Sequence, residues 1–173
     1  VDVYQKATIA YNEAGLKESE TIMQYSFSTY ELEYTSLIEN KYDDKGNLER
    51  VDESTYDLAT STWEPQLVRI YEYDEYDNCI MEEVRTASGR TEERTNYTYD
   101  LSVSIEDVYH YENPERDYPI LPQMKNMLKS YEFYAENDNG DLVYVTDYVF
   151  DYEVYDEDAV EEVAFSTSIY PNP

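Results

Sequence analysis

The sequence predicts an all-β protein, an antiparallel up-and-down meander of about ten strands, and three observations lead there. A pattern of aromatic, Asx, two further residues, Gly and Leu recurs at an interval of about 31 residues. Between the copies, apolar and polar side chains alternate with a period of two. No stretch carries the 3.6-residue periodicity of a helix.

The turns come first because they set the frame. Tyr11-Asn12-Glu13-Ala14-Gly15-Leu16 and Tyr42-Asp43-Asp44-Lys45-Gly46-Asn47-Leu48 are two copies whose glycines lie 31 apart. Tyr76-Asp77-Asn78-Cys79-Ile80 reads as a weaker copy with Asn78 in the place of the glycine, and Asn137-Asp138-Asn139-Gly140-Asp141-Leu142 places Gly140 62 residues later. Tyr99-Asp100-Leu101 marks the copy between them, shifted early because residues 112–127, with Pro114, Pro119 and Pro122, read as an inserted loop. Asn and Gly tolerate the positive φ of tight turns, and an Asx side chain bonds the backbone two residues on, so each copy predicts a β-turn.

A 31-residue unit holds two strands of roughly ten residues and two turns. The strands are expected over 3–11, 16–26, 30–42, 47–57, 66–76, 79–87, 90–99, 102–111, 128–137 and 142–153. Far-end reversals then fall near 27–29, 59–65, 87–89 and 112–127. Alternation puts Tyr144, Thr146, Tyr148, Phe150 and Tyr152 on one face, and sets Tyr71 and Tyr73 about Glu72, Tyr97 and Tyr99 about Thr98, and Tyr131 and Phe133 about Glu132. Residues 90–96 are polar on both faces, which a closed dry core would not accept. The expected sheet is therefore a twisted, open one or a half-barrel, with local cores. Residues 1–153 form this repeat domain, and residues 154–173 form an acidic linker and a distinct end.

Composition explains why the sheet must lean on tyrosine. The chain has 173 residues, 40 acidic and 12 basic side chains and a formal charge of −28. Leu, Ile, Val and Phe together number 35, close to the one-fifth level below which a highly charged chain stays disordered. The 22 tyrosines offset that deficit, because each ring buries a large area and leaves its hydroxyl for water. So acidic a chain repels nucleic-acid phosphates and anionic membrane surfaces, and no apolar run is long enough for a membrane-spanning helix. Nucleic acid is excluded as a partner, as is membrane insertion through such a helix.

The end of the chain, Ser166-Thr167-Ser168-Ile169-Tyr170-Pro171-Asn172-Pro173, follows the acidic run Asp156-Glu157-Asp158. It resembles the entrance to the C-terminal sorting domain of the type IX secretion system of Bacteroidetes, whose first strand opens Val/Ile-Tyr-Pro-Asn-Pro. The resemblance implies the secretion machinery as a partner and an extracellular or outer-surface location. Trp63, Tyr71-Glu72-Tyr73-Asp74 and the Tyr42–Leu48 turn are similar to the Trp…Tyr-x-Tyr-Asp-x-x-Gly-Asn repeats of secreted Bacteroidetes proteins, and to the YD repeats of Rhs-type shells. What carries over from the shells is the hairpin, since enclosing a cargo takes many more repeats.

Chemistry is sparse. Cys79 is the single cysteine and His110 the single histidine, so an internal disulfide, a CxxC site and a two-histidine zinc site are excluded. His110 in Tyr109-His110-Tyr111 reads as an ordinary strand residue. With 40 carboxylates, acid–base pairs discriminate nothing, and the expected protein is not an enzyme. No cofactor is expected. Asp43, Asp44, Asn47, Asp138 and Asp141 gather oxygen atoms at turns, as calcium prefers, but the spacing fails the EF-hand loop and an Asx turn explains them without metal. Trp63, in an expected far-end loop, and Tyr71 and Tyr73 are candidates for a ring platform that stacks on a glycan or meets a protein partner. The same rings would also serve as cross-strand ladders.

Overall fold

A computed structural model describes residues 4–105 and 124–150. The strands are β1 (Gln5–Tyr11), β2 (Lys17–Ser26), β3 (Glu31–Tyr42), β4 (Leu48–Asp57), β5 (Thr62–Tyr73), β6 (Cys79–Thr86), β7 (Thr91–Ser104), β8 (Asn126–Glu136) and β9 (Leu142–Val149). They form one antiparallel sheet whose order is the chain order, β1 to β9. Among the described residues β1 and β9 end that order, so the meander is open and not closed into a barrel.

Each near-end turn is built the same way. The first Asx accepts two backbone N–H bonds on its Oδ1, from the residues two and four positions on. Asn12 takes Ala14 at 3.0 Å and Leu16 at 2.9 Å, and Asp43 takes Lys45 at 2.9 Å and Asn47 at 2.8 Å. Asp74 takes Tyr76 and Asn78, both at 2.9 Å, and Asn137 takes Asn139 at 2.9 Å and Asp141 at 3.0 Å. The fourth residue of each turn has positive φ, at 79° for Gly15, 90° for Gly46, 65° for Asp77 and 86° for Gly140.

This corrects two expectations. In the third copy the glycine's place is taken by Asp77, 31 residues after Gly46, and Asn78 stands where Asn47 does. Asx residues reach the left-handed region at low cost, so Asp77 can replace a glycine there. Tyr99-Asp100-Leu101 does not reverse the chain but lies within the continuous β7. Asp100 Oδ1 does accept the Ser102 N–H at 2.9 Å, the local bond of an Asx turn. The chain runs on, however, and the register jumps from Asp100 opposite Met127 to Ser104 opposite Asn126. Among the described residues there are nine strands. Most of the expected 102–111 strand, His110 with it, and the end at 154–173 lie outside the described residues.

Far-end turns repeat as well. Tyr30 has φ of 62° and Ser61, 31 residues later, 57°, while Gly89 has the same sign. Only the glycine adopts this without a steric penalty. Trp63 is not in a loop: β5 begins at Thr62, and Trp63 pairs with Tyr56 across β4.

Bulges decide which face each ring occupies. Ile22 opposes Ser36 and Met23 opposes Tyr34, so Thr35 is the extra residue, and its hydroxyl donates to the Ile22 carbonyl at 3.1 Å. Gln66, 31 positions on, is extra between Pro65 and Leu67, which is how a proline fits inside β5. In β9, Phe133 opposes Thr146 and Tyr134 opposes Tyr144, leaving Val145 extra. Tyr144 therefore sits on the opposite face from Thr146 and Tyr148, against the expectation of one shared face, because one inserted residue reverses the alternation.

The chain divides into two compact units. The first comprises residues up to Ile70 with Val84–Thr91, and in it Val51, Val84 and Asn47 are buried. The second comprises Tyr71–Glu83 and residues from Glu92 on. Its interior holds Tyr71, Cys79, Tyr97, Met127 and Leu128, with Asn78 and Glu83 also buried. Arg94 pairs with Glu83, its Nε donating at 2.8 Å. That pair explains why a strand polar on both faces is tolerated: its arginine neutralises a carboxylate that burial would otherwise penalise.

Asn78 makes the most demanding polar contact of the second unit. Its Nδ2 donates to Asp74 Oδ2 at 2.9 Å and to Asn126 Oδ1 at 3.0 Å, and its Oδ1 accepts the N–H groups of Lys125 and Asn126, both at 2.8 Å. One side chain thus ties the turn to the start of β8, 48 residues away. Asn78→Ala removes these four bonds together from a fully buried side chain, so we expect a loss of about 3 kcal/mol, measured by urea unfolding. A loss below about 1 kcal/mol would show that water replaces the side chain.

Candidate functional site

Three rings stand side by side on β3, β4 and β5 of the first unit. Tyr56 and Trp63 oppose each other across the strands with centroids 4.9 Å apart. Tyr34 joins them, 5.4 Å from Tyr56 and 5.8 Å from Trp63. The bulge at Thr35 makes this possible, since it turns Tyr34 to the face that Tyr56 occupies. Edge-to-face contacts at these distances hold the rings in fixed orientations. Trp63 and Tyr56 are half-buried, while Tyr34 is 44% exposed, so the group shows its rings to solvent along one side.

The expected companions of Trp63 lie elsewhere. Tyr71 and Tyr73 belong to the second unit. Tyr71 is buried there, its hydroxyl donating to Glu82 Oε1 at 3.4 Å, and Tyr97 reaches Glu82 Oε2 at 3.2 Å. Tyr73 is half-buried. A ring inside the unit has no face to offer a ligand, so Tyr71 is a packing residue. Sequence reasoning missed Tyr34 and Tyr56. The repeat carries the signal for Tyr56, because the pair Tyr56–Trp63 lies 31 residues after the pair Tyr25–Leu32. Nothing in the alternation marks Tyr34, whose face depends on a bulge.

Reactive groups in the second unit are held inert. Burial pushes the Cys79 thiol up to about 12, and the neighbouring Glu82 charge acts in the same direction. Burial also moves the Tyr97 and Tyr99 hydroxyls upward. Tyr99 donates to the Cys79 carbonyl at 2.6 Å. These are protonated packing groups with no thiolate or phenolate character at neutral pH.

The turn oxygens are engaged by the chain itself. Besides the two backbone bonds on Oδ1, Asp43 Oδ2 accepts Asn47 Nδ2 at 3.0 Å. Asp44 and Asp141 are exposed, and Asp138 stands with Asn139 and Gly140 in an exposed turn. Among the described residues no three His, Cys, Asp or Glu side chains come together as a metal site. Asp43 and Asp74 are each followed four residues later by an Asn whose Nδ2 donates to the second carboxylate oxygen. The turns that open with Asn12 and Asn137 carry Leu16 and Asp141 there instead. A carboxylate can accept that extra donor and a carboxamide, with one acceptor oxygen, cannot.

No family model matches the chain, and no curated protein matches it. Its fold is similar to that of a protein of unknown function from Bacteroides fragilis, with 14% identity over 84% of this chain and 92% of that one and a TM-score of 0.51. A DUF3836 family protein from Bacteroides vulgatus matches with a TM-score of 0.38 and 12% identity over 83% of this chain and 92% of that one. Another, from Parabacteroides distasonis, matches with a TM-score of 0.39 and 14% identity over 54% of this chain and 74% of that one. The likeness to the first is one of fold alone.

Burial raises the Asp43 carboxyl, but the donors from Asn47, Lys45 and Gly46 outweigh it and leave its pKa below the ordinary value. A lowered carboxylate stabilises the fold at pH above its unfolded value, near 4, and that contribution fades as pH falls through the folded value. Thermal melts of the wild type and Asp43→Asn should therefore differ most at neutral pH, with the wild type higher, and converge in acid. A constant gap across pH would mean that the Asn47 contact, and not the charge, carries the difference.

Proposed function

We propose that the protein is an exported, non-enzymatic β-repeat protein that holds an extracellular glycan on the rings of Tyr34, Tyr56 and Trp63. The observation that carries this reading is the ring group itself: three aromatic side chains on neighbouring strands, fixed by mutual contact and open to solvent on one side. Rings so fixed stack on sugar faces at little entropic cost. The Ile169-Tyr170-Pro171-Asn172-Pro173 motif supports delivery through the type IX machinery to the outer surface or medium.

Glycan-array binding tests the site. Tyr34→Ala removes the most exposed ring of the three, at a stability cost of about 1–3 kcal/mol for its two ring contacts. It should lower binding at least tenfold while the far-ultraviolet dichroism stays that of a β-protein. Unchanged binding, or no glycan bound by the wild type, overturns the reading. Export is tested separately by replacing Tyr170, Pro171, Asn172 and Pro173 with alanine in the full-length gene product. The expected outcome is retention in the periplasm, and normal surface or medium levels would remove the sorting claim.

A further inference from the structure

We infer that this glycan surface extends past the three rings into one row across five strands, and that it takes an extended, neutral polysaccharide chain lying across the strands. The inference rests on the glycan reading above and adds the length and charge class of the ligand.

The row runs from β1 to β5 as two ring groups with Leu32 between them. Tyr4, just before β1, sits against Tyr25 of β2, with its carbonyl accepting the Tyr25 N–H at 2.9 Å and ring centroids 6.1 Å apart. Phe27 continues that group, 5.3 Å from Tyr25 and 6.5 Å from Tyr4. Tyr25 opposes Leu32 of β3, and Leu32 shares its face with Tyr34, two residues on. Tyr34 then leads to Tyr56 and Trp63. Neighbouring strands are about 4.8 Å apart, so four steps make a row of about 19 Å. A single sugar ring cannot cover a row of that length, whereas an extended chain can. Tyr4 is 59% exposed and Phe27 73%, so the far end of the row is more open than the Trp63 end.

Charge selects among chains. On the ring face, the positions beside the row are Lys6, Met23, Ser54 and Pro65, none of them acidic. Glu33, Asp57 and Glu64 immediately adjoin Tyr34, Tyr56 and Trp63 in sequence, and alternation sends them to the reverse face. In a chain of charge −28 the row is thus a strip free of carboxylates. A polyanion would still meet the repulsion of the whole molecule, while a neutral chain meets neither that repulsion nor the cost of stripping water from a carboxylate.

Titration with ladders of cello- and malto-oligosaccharides, from the disaccharide upward, reads both parts, with polygalacturonate as the acidic control. Affinity for at least one neutral ladder should rise with chain length. Tyr4→Ala and Phe27→Ala should each weaken the longest members about tenfold and leave the shortest unchanged, whereas Tyr34→Ala weakens all. If short and long members bind equally and Tyr4→Ala has no effect, the extended row is wrong and the three-ring site stands. If no neutral saccharide binds, both readings fail. Polygalacturonate binding as well as the neutral chains overturns the charge argument. A concentration-dependent dimer abolished by Tyr4→Ala would make the row a contact between copies and overturn the polysaccharide.

Discussion

The near-end turns rest on one interaction, an Asx oxygen that accepts the N–H groups two and four residues ahead. It satisfies two N–H groups of each turn, while the N–H of the fourth residue bonds the Asx carbonyl, and so fixes where one strand ends and the next begins. In a meander every register follows from its turn. Four turns of the same geometry give hairpins of nearly the same length, which is why bulges and far-end backbone strain recur at the same interval. Thr35 and Gln66, like Tyr30 and Ser61, are related by the repeat of 31 residues.

The bulges turn a regular ladder into a sheet with two different faces. If Thr35 were paired regularly and not bulged, Tyr34 would face away from Tyr56, and the ring row would be broken at β3. If Val145 were paired regularly, Tyr144 would join Tyr148 and leave Tyr134, the ring it now meets at 5.7 Å. The inserted residue has the same physical effect in both places, and only one of the two lies beside a candidate site. In the second unit the rings Tyr97, Tyr131 and Tyr148 form a contact chain on the face that buries Leu128, a role of packing and not of display.

Several of the 40 acidic side chains are placed or held by such arrangements. Carboxylates next to the rings alternate to the reverse face, Asp43 and Asp74 are held by turn donors, and Glu83 is neutralised by Arg94. Like-charge repulsion along open edges opposes pairing between copies, and the strip free of carboxylates, with Lys6 beside it, is the exception in so acidic a chain.

Eight of the nine strands were legible in the sequence to within a few residues at most ends, because turn chemistry and period-two alternation are local. The sequence by itself determined the fold class, the repeat and the Asx turns. It misplaced Tyr99-Asp100-Leu101, where the same local bond forms within a strand that does not reverse, and it put a glycine's role on Asn78 that belongs to Asp77. The partners of Trp63, the face of Tyr144 and the burial of Tyr71 and Glu83 were decided by the tertiary structure alone. Each depends on which residue of a neighbouring strand lies opposite, and one bulge changes that pairing while leaving the pattern of residue types along the chain as it was.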